Sequence, residues 1–154
     1  FGIAVSTGRN RNIEKHELLG TEAVCLLPAS HRLAGNEFIS PEDLVGENFI
    51  SYFEGSIFKN DIDKAFNTAK VRRLTRYEGK TTGAIIGMVG AGLGVSIIDS
   101  GFGAGSFDPR CITIPFKPAI PYTAELLWST QRDLSAIQNE FLNMVREEYG
   151  DLDI

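Results

Sequence analysis

Short strand-like apolar runs alternate along this chain with stretches whose apolar residues recur every three or four positions, and that alternation constrains the fold more than any other feature. The strand-like runs are 1–5, 22–27 ending at Pro28, 49–52, 72–77, 95–98, 111–116 and 122–128. The first helical stretch carries Phe58, Ile62, Ala65, Phe66 and Ala69 on one face. A second, at 84–89, is capped by Thr81 or Thr82 and closes in the glycines of 90–94. The third opens with a capping box, Ser135 and Gln138, presents Ile137, Phe141, Met144, Val145 and Tyr149, and stops at Gly150. Ser40-Pro41-Glu42-Asp43 starts a helix of little more than a turn, with Ser40 as its cap, and 6–16 reads as a loop. Such an order predicts an α/β layered fold with a largely parallel sheet, in which ligands bind at the carboxyl ends of strands.

With 154 residues the chain is long enough to bury a core without disulfides or metal. Its two cysteines, Cys25 and Cys111, sit inside apolar runs and read as buried, reduced thiols. Every apolar stretch falls short of the ~20 residues of a membrane span, and no basic segment precedes a cleavable one, so a cytoplasmic protein with no membrane association is expected. Fifteen basic against twenty acidic residues give a net charge of −5, the wrong sign for a chain that grips DNA by itself. The apolar run at Phe1 has no capping or turn signal before it, which suggests a fragment starting inside an element.

No catalytic constellation is visible. Gly90, Gly92 and Gly94 follow a helix and precede a strand, the reverse of a dinucleotide fingerprint, and the glycines of 101–105 lead into no helix. His16 and His31 lack metal-ligand spacing, and neither a nucleophile elbow nor an acid/base pair occurs. No enzyme activity, metal or cofactor is therefore expected. What remains are hydroxyls at helix starts. Thr81 and Thr82, with Lys80 adjacent, would offer oxygens and free N–H groups to an anion, although simple capping explains them equally well. Ser51, Tyr52 and Phe53, just past a strand end, either line a cleft or make a turn.

The segments EAVCLLPASHRLA (22–34) and ISPEDLVGENFI (39–50), then Glu78 with Thr81, then MVGAGLGVSII (88–98), resemble in this order the effector-binding domain of LysR-type transcriptional regulators. The final strand and amphipathic helix resemble the family's C-terminal end. The resemblance implies two Rossmann-like subdomains of the type II periplasmic-binding-protein architecture with an effector cleft between them. Residues 1–28 plus 118–154 would form subdomain I, lacking its first elements, and 29–117 subdomain II. It also implies a small effector, a homodimer or homotetramer, and DNA contact only through a winged helix-turn-helix outside this chain. Ligand-binding positions carried over are Ile3, Val5, Leu27, Ser51, Phe53, Lys80, Thr81 and Asp99, and no residue is catalytic. A carboxylate on the effector follows from the helix start at Thr81. The competing expectation is a transport-type solute-binding protein with the same two lobes; an enzyme on that scaffold would need an acid/base pair that is not visible.

Overall fold

The computed structural model describes residues 1–5, 11–102 and 108–149. Its elements are β1 (Gly2–Ala4), β2 (Ile13–Pro28), β3 (Asn48–Tyr52), α1 (Ile57–Thr68), β4 (Leu74–Gly79), α2 (Thr82–Gly90), β5 (Ser96–Asp99), β6 (Cys111–Pro115), β7 (Pro121–Ser129) and α3 (Ala136–Tyr149). They form two compact units, one of Phe1–Thr21 with Tyr122–Ile154 and one of Glu22–Pro121, and the long strand β2 contributes to both.

In the first unit β7 lies beside β2 and pairs antiparallel with β1, Ile3 facing Leu126. The core is small: Leu126 and Trp128 of β7 pack against Leu142 and Val145 of α3, flanked by Leu18 and Leu134. Here the expected face of α3 is corrected. Val145 is buried, but Ile137 is 80% exposed, Met144 63% and Tyr149 52%, while Leu142 takes the inner place. Positions 142 and 145 lie three apart and share a face; the stripe starting at Ile137 is rotated from it, and apolar spacing alone does not say which of two stripes meets the sheet. The α3 cap forms as expected, Ser135 N–H donating to Gln138 Oε1 at 2.9 Å and Gln138 N–H to Ser135 Oγ at 3.3 Å.

β2 also corrects the sequence reading, since it begins at Ile13 inside the expected loop, of which 6–10 lie outside the described residues. Charged side chains disguise this half of the strand because one face is solvated. Lys15 Nζ reaches Glu125 Oε1 on β7 at 2.6 Å.

The second unit holds the larger core, with Leu26, Leu27, Ile39, Leu44, Phe49, Ile50, Ile62, Ile85, Ile97 and Ile98 almost completely buried. Here β2 runs between β5 and β6, antiparallel to both: Cys25 faces Ile97 on one side and Ile114 on the other. β3 and β4 pair in parallel, and a parallel bridge from Phe49 to Val95 sets the start of β5 beside β3. The expected largely parallel sheet is thus confined to β3, β4 and β5. Parallel neighbours need a crossover; α1 supplies it between β3 and β4, and α2 then carries the chain from β4 to β5 on the other side of β3.

Two local expectations shift. Ser40 donates rather than accepts: its N–H and hydroxyl both bond Asp43 Oδ2, at 2.8 and 2.9 Å, and the turn that follows is a three-residue 3-10 helix, Glu42–Leu44. The strand expected at 72–77 is Leu74–Gly79. Gly94 is where glycine is required, because at φ +158 a Cβ would sit 2.2 Å from the Asn48 carbonyl oxygen, which accepts the Val95 N–H at 2.9 Å.

Candidate functional site

The carboxyl ends of the three parallel strands meet at one edge of the second unit. Tyr52, Gly79 and Asp99 are the last residues of β3, β4 and β5, and α2 starts three residues after β4. Phe53 N–H donates to the Gly79 carbonyl at 3.2 Å, so the chain leaving β3 stays against the end of β4. α2 packs directly on that end, since a Cβ on Gly79 would lie 2.6 Å from Ile85 Cγ1.

Thr81 caps the helix: its Oγ1 accepts Ala84 N–H at 3.2 Å and its carbonyl accepts Ile85 N–H at 3.1 Å. The N–H groups of Thr82 and Gly83, at the first two helical positions, have no intrahelical acceptor and point out of the positive end of the helix. Lys80 and Thr81 are exposed beside them.

Beneath this end lies Tyr52. Its ring stacks on Phe58 with centroids 5.3 Å apart, and its hydroxyl is 2.9 Å from Thr82 Oγ1. Burial pushes the phenol pKa up, the bond to Thr82 offsets this in part, and the negative charge of Asp99 pushes it up further, so Tyr52 stays protonated. Asp99 is itself buried, and its Oδ1 accepts Gly101 N–H at 2.9 Å. Ser51 is buried at the same end of β3, while Phe53 is 39% exposed.

Of the positions taken from the sequence, Ser51, Phe53, Lys80, Thr81 and Asp99 thus gather at this edge. Leu27 does not: its side chain is fully buried opposite Ile112, and Leu26 already faces Ser96, the amino end of β5. Ile3 and Val5 belong to the first unit, Ile3 66% exposed on β1 and Val5 half-buried after it. Tyr52, which the sequence offers with Ser51 and Phe53 as lining a cleft or making a turn but which is absent from the carried-over ligand positions, lies at the same strand end with its hydroxyl on Thr82.

Neither cysteine offers a nucleophile, since burial raises both thiol pKa values and nearby acids raise them further: Asp43 and Glu47 at Cys25, Asp108 at Cys111. Among the described residues no group of three or more His, Cys, Asp or Glu could hold a metal ion, and no helix is long and apolar enough to cross a membrane.

A fold of this kind, with polar groups at the carboxyl ends of parallel strands, places a small-molecule site at that edge. Residues 1–150 match the LysR substrate binding domain, and the chain belongs to that family. It is 30% identical over 141 residues, 92% of this chain and 45% of the relative, to the transcriptional activator protein LysR of Escherichia coli K12. The regulatory protein NocR of Agrobacterium tumefaciens is 28% identical over 142 residues, covering 92% and 47%. The chain therefore spans about half the length of the curated relatives it matches. Among solved structures, the regulatory domain of CcmR from Synechocystis PCC6803, in complex with 2-PG, superimposes with a TM-score of 0.83 at 19% identity, covering 97% of this chain and 73% of that one. The fold is thus that of LysR-type regulatory domains, with the type II periplasmic-binding-protein architecture.

Proposed function

We propose that this chain senses a small metabolite bearing a carboxylate, that the metabolite docks at the amino end of α2, and that its binding modulates transcription through a winged helix-turn-helix elsewhere in a longer bacterial regulator. The observation that carries the reading is the Thr81-capped amino end of α2, with Lys80 exposed beside it and the Thr82 and Gly83 N–H groups left without an intrahelical acceptor, in a domain of this family. An anion there meets the positive end of the helix dipole and unspent donors, and a lysine stands nearby.

In this reading the two compact units are the family's two subdomains, and the domain binds without catalysis, in the cytoplasm, as a homodimer or homotetramer. Ligand binding biases the regulator only as far as affinity differs between its conformations. A transport-type solute-binding protein is less favoured, because the relatives are regulators. Isothermal titration of a panel of carboxylic metabolites and their neutral amides tests the reading. Saturable heat with one or more acids and none with the matching amides is expected; an effector lacking any anionic group would overturn it.

A further inference from the structure

We draw no further inference here: the strongest candidate, the exposed apolar surface patch of the first unit where Phe1 packs on Phe141 of α3 beside Ile137 and Met144, carries nothing because nothing in the structure shows what covers it.

Discussion

At the scale of single residues, Thr81 divides two roles that the sequence leaves open. Its cap bond to Ala84 N–H is present, so Thr81→Ala must lose some helix stability, about 1 kcal/mol for a lost N-cap. If Thr81 also meets the effector, the same variant weakens a carboxylate ligand by ~1–2 kcal/mol, the scale of a hydrogen bond to a charged group. Urea unfolding and calorimetric titration on one preparation separate the two; lost stability with unchanged affinity leaves Thr81 a cap only. Gly94 bears on the fold rather than the ligand. Gly94→Ala drives a Cβ into the Asn48 carbonyl at 2.2 Å, and a loss of about 3 kcal/mol or more in unfolding free energy is expected, because neither backbone has a flexible end to give way. A Gly94→Ala variant as stable as wild type would contradict the observed approach of β3 and β5. The cysteines provide a check on burial. A raised thiol pKa leaves little thiolate at pH 8, so Ellman's reagent should titrate Cys25 only after denaturation.

At the scale of elements, much was legible and the misses share a cause. The Thr81 cap, the Ser135 and Gln138 box and the inner face of α1, with Ile62, Ala65 and Phe66 buried, all follow from short-range spacing, which local chemistry decides. Ser135→Ala should accordingly destabilise the first unit by about 1 kcal/mol, read as a shift in the urea midpoint. Strand direction, by contrast, is not local. Nothing in residues 22–28 announces that β5 and β6 both run against them, and nothing in 13–21 distinguishes a solvated strand from a loop. α3 failed for a related reason: two apolar stripes are present, and only the position of Leu126 and Trp128 on β7 selects Leu142 and Val145. The candidate positions could be read from the sequence only as strand ends, helix starts and what the family resemblance implies. That Leu27 faces the core and that Tyr52 reaches Thr82 depends on register and packing, which the sequence does not print.

At the scale of the whole molecule, the acidic balance and the small number of chemical groups now have one account. A net charge of −5 agrees with the proposed reading, in which this domain meets the metabolite and another part of a longer regulator meets DNA. In the proposed reading the three parallel strands and α2 act as a platform whose donors are in place before the ligand arrives. The central claim is that an anion sits on that platform, and the most direct measurement is a crystal structure with the metabolite that titrates best. The expected result is its carboxylate within about 3.2 Å of the Thr82 and Gly83 N–H groups. A metabolite bound with its carboxylate away from the amino end of α2 would contradict the account.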